Sequence, residues 1–515
     1  MSNANVTPKG FSTLEMLIAM TVIVLTMGAV ILVSFSNQSI LVDSARNSDA
    51  LALAQAGIES IQTLARKDFK LVNPVVAAPN GDYTTAVNVE TQPDLFTKKI
   101  TSTVTWNGEH LRAQHVTLTS IVSDFENPIG ADTCSSVLVG NWASPSTQFS
   151  GDVANMIGDS PNTLTISDVD AYLGKLYVAV SDTSVNTSKT FLTFDVTDPT
   201  SPVSIPALSI DNNASVAGIA AVRVAGSYAY AANAVKAFYK TGIVAPNIEC
   251  TNSAGANKSC GQLQIISLSG GTASVAYTYQ LPNVVGTPGQ GDGNSLFYKD
   301  GYVYLGLTKT GSGPEFNIID VHDPSAPALI GSYAVGAGVN KILVRGNYAY
   351  LGTSDNSREL IVLDVSNPAL PTVARTYDAA GAASFGYGNA LYGVGDITYV
   401  GRTYVGNGSE FFIASTTAPA VSLPILGSVD IGPNSGAAWG VYGLVVRDTL
   451  AFVATALPSS NQGKVQMYDI SDPRNPTPYG TAVTLSGPAA ALDCEGNYLY
   501  AATNNPRGQV YSIAP

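Results

Sequence analysis

Residues Asp300–Pro327 read DGYVYLGLTKTGSGPEFNIIDVHDPSAP, and the fold of most of the chain follows from how this stretch is read. A polar Asp-Gly turn opens into an alternating apolar run centred on Tyr304, a Gly/Ser/Pro loop follows, and a second apolar run enters Asp-Pro. Period-two alternation is the signature of a strand. Proline cannot donate to a β-ladder and Asx side chains cap turns, so the second strand stops at Asp323-Pro324. The first element recurs as LGKLYVAV at Tyr177, AGSYAYAA at Tyr230, RGNYAYLG at Tyr350, GDITYVG at Tyr399, RDTLAFVA at Phe452 and EGNYLYAA at Tyr500, seven copies with that at Tyr304. The second recurs as FDVTDPTSP, IVLDVSNPALP and MYDISDPRNP, centred on Asp195, Asp364 and Asp469, with looser copies at Ser267 and Ser512 and a degraded one near Ser415.

Repeats of about 40 to 50 residues, each one supersecondary unit, predict a solenoid or propeller. Seven four-stranded units predict an all-β seven-bladed β-propeller over residues 131–515. The last unit ends at Pro515 without its final strand, and the segment Ser135–Ala154, with Trp142 and Pro145, is expected to supply it. The pattern strongly resembles the LVIVD repeat family of bacterial surface propellers.

At the other end, Met16–Phe35 holds twenty residues without a charge, the length a helix needs to cross a bilayer, about 20 residues. One carboxylate, Glu15, opens the run, where an unpaired charge is costly and expected to have a partner. The leader carries one basic residue, Lys9, and no acid, which places the extreme N-terminus on the cytoplasmic side. Lys9-Gly10-Phe11-Ser12-Thr13-Leu14-Glu15 closely resembles the class III signal of type IV prepilins. That resemblance implies cleavage by a prepilin peptidase after Gly10, N-methylation of Phe11, and pairing of Glu15 with the terminal amine of a neighbouring subunit. No helix-kinking proline lies between Pro8 and Pro74, a departure from many pilins. Beyond the apolar run, Leu51, Ala54, Ile58, Ile61 and Ala65 mark one helical face. Two alternating runs flanking Asn107-Gly108, a strong hairpin dipeptide, predict strands to cover it.

The expected organisation is therefore a prepilin leader over 1–10, a transmembrane and assembly helix over 11–36, a pilin-like α+β domain over 37–126, a linker over 127–130, and the propeller. Four cysteines permit two disulfides in an exported chain, a local Cys250–Cys260 staple and a long-range Cys134–Cys494 bridge. His110, His115 and His322 lack zinc-ligand spacing, so no metal site of that kind is expected. The acidic loop Gly289–Asn294 offers oxygen ligands for a structural calcium but lacks EF-hand spacing, and no other cofactor is indicated.

A net charge of −13 with only 12% charged residues excludes a phosphate backbone as partner. No nucleophile elbow, P-loop, H-E-x-x-H or paired C-x-x-C occurs, so no catalytic residue and no enzyme is expected. Asp170, Asp292 and Asp396 are the acids that different blades would bring towards a central channel, though Asp beside Gly, Asn or Pro is more often a turn residue. The functional expectation is a minor or tip pilin. It would sit in the inner membrane before assembly, join other pilin subunits through its N-terminal helix, and display the propeller outside the cell to bind protein or glycan. The alternatives are a membrane-tethered propeller enzyme of glycan-hydrolase or lactonase type, and a pseudopilin of a secretion or DNA-uptake system.

Overall fold

The computed structural model describes residues 13–515 except 68, 92–96, 108–111, 124–133, 135–136, 159–163, 183–188, 212–217, 234–248, 252–256, 260, 283, 285–289, 379–385, 405–407, 417–423, 433–438 and 458–461. It divides into two compact units, residues 1–66 with 72–122, and residues 67–71 with 123–515. The linker expected at 127–130 lies outside the described residues.

In the first unit a 55-residue helix, α1 (Thr13–Lys67), precedes a four-stranded sheet of β1 (Val75–Asn80), β2 (Tyr83–Thr91), β3 (Thr97–Asn107) and β4 (Ala113–Ser123), hydrogen-bonded in that order. The expectation of a membrane-spanning helix is corrected here: among the described residues no helix is long and apolar enough to cross a membrane. The rest of the protein is nearly all β.

The inward face of α1 carries Ala50, Ala54, Ile58, Ile61 and Ala65, all buried, whereas Leu51 is 46% exposed. The helical stripe therefore runs through Ala50, one residue from its expected start. Small residues there let helix and sheet approach closely: a Cβ on Gly57 would sit 2.7 Å from Ser102 Oγ on β3. Strand β3 alternates strictly, burying Lys98, Ile100, Ser102, Val104 and Trp106, and the Lys98 ammonium donates to the Val72 carbonyl at 3.0 Å.

Among the described residues of the second unit seven sheets of four or five strands follow one another, numbered here in chain order, beside one two-stranded sheet. Sheet 3 shows the pattern: Gly293–Lys299, Tyr302–Leu307, Phe316–Asp320 and Ala328–Tyr333 pair as an antiparallel meander. The inner strands are Leu164–Tyr172, Ile219–Ala225, Gly293–Lys299, Val339–Arg345, Gly388–Val394, Gly440–Arg447 and Ala489–Glu495. Each lies against the next, and the last against the first, so they form a closed ring. The fourth strand of sheet 7 comes from before the repeats. Strand β5 (Ser146–Asp152) pairs antiparallel with Gln509–Ala514, which joins the two ends of the ring and leaves no open edge between them.

The repeated aromatics Tyr177, Tyr230, Tyr304, Tyr350, Tyr399, Phe452 and Tyr500 are all at most 5% exposed. Tyr177, Tyr304 and Tyr399 stack on Phe191, Phe316 and Phe411, the first buried aromatics of the next strands, with ring centroids 5.9 to 6.4 Å apart. The Asp-Pro segments are paired Asx turns. Asp364 Oδ1 accepts from the Ser366 amide and Asp469 Oδ1 from Ser471, each at 2.9 Å, and the same bonds recur at Asp195 and Asp320. The aromatic recurs in all seven sheets and the Asx turn in four of them, so these residues serve the repeat and not a single site.

Candidate functional site: a polar cavity at the centre of the ring

Every inner strand carries a β-bulge at the same place. The register skips at Ser167, Ala220, Asn294, Asn340, Asn389, Tyr442 and Ala490. Bulges leave one residue out of the ladder and re-aim its side chain. Here all seven line a single cavity of about 700 Å³.

Hydrogen bonds run around this rim from one sheet to the next. Asn294 Nδ2 donates to the Val339 carbonyl at 2.9 Å, Asn340 Nδ2 to Gly388 at 3.0 Å, and Asn389 Nδ2 to Val441 at 3.1 Å. The Ser167 hydroxyl makes the same bond to the Ile219 carbonyl. Each acceptor immediately precedes the next bulge, so the side chains satisfy carbonyls that the bulge removes from the ladder.

Next to the rim lies a charge cluster. Asp168 Oδ2 accepts from Arg223 Nη1 at 2.9 Å and from the Val222 amide at 3.2 Å. Asp170 accepts from the Val224 amide at 2.7 Å and lies 3.7 Å from Arg223. Asp493 accepts from the Ala171 amide at 2.6 Å. Lys341, on the fourth inner strand, lies 3.7 Å from Asp168 on the first, so this ion pair bridges the channel. Burial pushes the Asp170 carboxyl up to about 7, against the opposing pull of Arg223 and the Val224 amide. Burial also lowers the Lys341 ammonium, with Asp168 opposing. Burial pulls Arg223 down, but Asp168, Asp170 and Asp493 outweigh it and hold the guanidinium above its ordinary range.

Of the three acids expected near the channel, Asp170 is in this cluster. Asp396 is in a turn, its carbonyl accepting from the Thr416 amide. Asp292 stands just before the third inner strand, 6% exposed, with its Oδ1 lacking a hydrogen-bond partner. Burial raises its carboxyl from an ordinary 3.8 to about 7. A carboxyl whose folded value is raised stabilises the fold relative to higher pH only while protonated. Its contribution is full below about 4 and is lost as the pH rises through 7. Asp292→Asn is therefore expected to raise stability at pH 8 by roughly 2 to 4 kcal/mol and to leave it nearly unchanged at pH 4, as read by urea denaturation at both values.

The remaining expected residues are placed as follows. Gly10 and Phe11 lie outside the described residues, and Glu15 falls within α1 with its side chain outside them. Cys134 and Cys494 form a disulfide, Cα–Cα 5.1 Å. Cys250 is in a short strand, Glu249–Thr251, paired with Asn257–Ser259, and its side chain and Cys260 lie outside the described residues. Of the loop proposed for calcium, Gly289 lies outside them, and Asn294 turns its amide to sheet 4. His115 is exposed on β4, and His322 pairs with Asp320 at 2.8 Å on an exposed turn. Neither lines the cavity.

The chain carries LVIVD repeats. The LVIVD repeat family matches residues 290–335 and 337–379, which are sheets 3 and 4, two of the three sheets that supply rim asparagines. Among solved structures, a putative 6-phosphogluconolactonase from Bacteroides uniformis is 12% identical, with 76% of this chain and 93% of that chain covered and a TM-score of 0.46. An inactive virginiamycin B lyase variant from Staphylococcus aureus, with quinupristin, is 11% identical, with 69% and 96% covered and a TM-score of 0.42. No curated protein matches this chain.

Proposed function

We propose that the chain is an exported, pilin-like subunit that displays its LVIVD-repeat ring outside the cell to bind a glycan or protein. The carrying observation is the sequence Lys9–Glu15, whose end falls in the first turn of a helix that packs on a four-stranded sheet. A prepilin peptidase would cut after Gly10, Phe11 would become the methylated terminus, and Glu15 would pair with that terminus on another pilin subunit. Binding fits the channel better than catalysis. Asp168, Asp170 and Asp493 each accept a backbone amide of the neighbouring sheet, so deprotonating a substrate would compete with holding the ring together. Intact-mass and N-terminal peptide analysis of protein from the native host tests this reading. A terminus at N-methyl-Phe11 is expected; a chain still starting at Met1, or one starting well past Phe35, would refute it.

A further inference from the structure

We propose that the cavity at the bulge rim is a binding site for a neutral saccharide of one or two rings; this rests on the reading of the ring as a displayed binding module. Sugar hydroxyls donate and accept at once, so they select sites with fixed donors and acceptors over sites with net charge. The rim supplies fixed acceptors. The amide nitrogens of Asn294, Asn340 and Asn389 are committed to backbone carbonyls, and Asn340 Oδ1 itself accepts from Asn294 Nδ2 at 3.4 Å, so the carboxamides are fixed over three consecutive sheets with the oxygens of Asn294 and Asn389 as the rim's acceptors.

The adjoining pair supplies both kinds of group. Lys341 and Asp168 line the cavity 3.7 Å apart, one with donors and the other with acceptors, a spacing that suits neighbouring hydroxyls of a pyranose. Tyr442, the bulged residue of sheet 6, adds an aromatic ring of the kind on which a sugar's C–H face packs.

Charge argues against the other ligand classes. An anion meets Asp168 with Asp170 behind it, and a cation meets Lys341 and Arg223; at the cavity these two cations face these two acids, so neither sign of ligand charge is left without an opposing group. A wholly apolar ligand would take water away from the Lys341–Asp168 pair and from the carboxamide oxygens of Asn294 and Asn389 without replacing it. The volume, about 700 Å³, lies within the range of small-molecule sites, about 300 to 1,000 Å³.

Titration calorimetry of the full chain with lactose, maltose and chitobiose tests the proposal, with sialyllactose, glucosamine and a pool of neutral peptides as contrasting probes. At least one neutral disaccharide is expected to bind, and Tyr442→Ala to weaken it by about tenfold or more with an unchanged melting midpoint. Asn389→Ala should weaken it likewise; should the loss of the bond to Val441 unfold the ring, Tyr442→Ala carries the test alone. The proposal is overturned if no neutral sugar binds, if the charged sugars or peptides bind better, or if Tyr442→Ala leaves neutral-sugar binding intact. The site of N-terminal cleavage is measured independently, so failure here leaves the export reading standing.

Discussion

Cys134→Ser and Cys494→Ser are each expected to lower the melting midpoint of the ring by about 5 to 10 °C under oxidising conditions, and the double variant by no more than either alone. The bond links residues 360 apart. It ties the segment leading into β5 to the innermost strand of sheet 7, where Cys134 also bridges to Gly496. Constraining so long a loop in the unfolded chain is worth about 4 to 5 kcal/mol in the chain-entropy account. Between cysteine and strand, Trp142 packs edge-on against Phe452 at 4.8 Å and is 2% exposed. The seam therefore retains its apolar contact and strand pairing when the bond is lost, so weakening and not collapse is expected. Calorimetry with and without reductant reads the difference. A midpoint that neither substitution nor reductant moves would reject a role for the bridge.

Arg402→Met is expected to cost about 3 to 5 kcal/mol, and Arg402→Met with Glu359→Gln distinctly less. Arg402 Nη1 and Glu359 Oε1 lie 3.0 Å apart with side chains 2% and 0% exposed, sealed between sheets 4 and 5. Removing the guanidinium leaves a carboxylate in a site with no water to solvate it, while removing both charges leaves a cavity and some lost hydrogen bonds. Glu359 has counterparts at the start of the same strand in neighbouring sheets. Glu315 Oε2 accepts from the Val335 and Gly336 amides at 3.0 and 2.9 Å, and Glu410 Oε2 from Ile431 at 3.0 Å. Buried acids are thus part of how each sheet joins the next, and equal losses in the single and double variants would show that the ion pair itself contributes nothing.

Strand pairs and turns were legible because each depends on few neighbouring residues: alternation sets a strand, and an Asx side chain caps its own backbone two residues on, as at Asp320 and Asp364. The closing strand was legible by subtraction, since the last repeat lacked a partner that only the segment before the first could give. The helical stripe was misplaced by one residue at its start, because both Ala50 and Leu51 suit a helix and only the sheet decides which is covered.

The cavity was not legible, because a bulge is a relation between two strands and leaves no composition signal. One signal did exist. Each rim residue lies ten positions before the repeated aromatic, from Ser167 and Tyr177 to Ala490 and Tyr500, and aligning the copies on that aromatic would have put Asn294, Asn340 and Asn389 in one column. Asp170 was singled out as a channel acid, but its bonds to Val224 and Arg223 come from the adjacent sheet and could not be read along one repeat.

The central claim is that a prepilin-type terminus delivers the LVIVD-repeat ring to the outside of the cell. Immunogold labelling with an antibody to the ring, on unpermeabilised cells with and without their prepilin peptidase, tests it most directly. Label on surface filaments of the parent strain, lost when the peptidase is absent, is the predicted result. Equal surface labelling in both strains, or label reached only after permeabilisation in both, would contradict it.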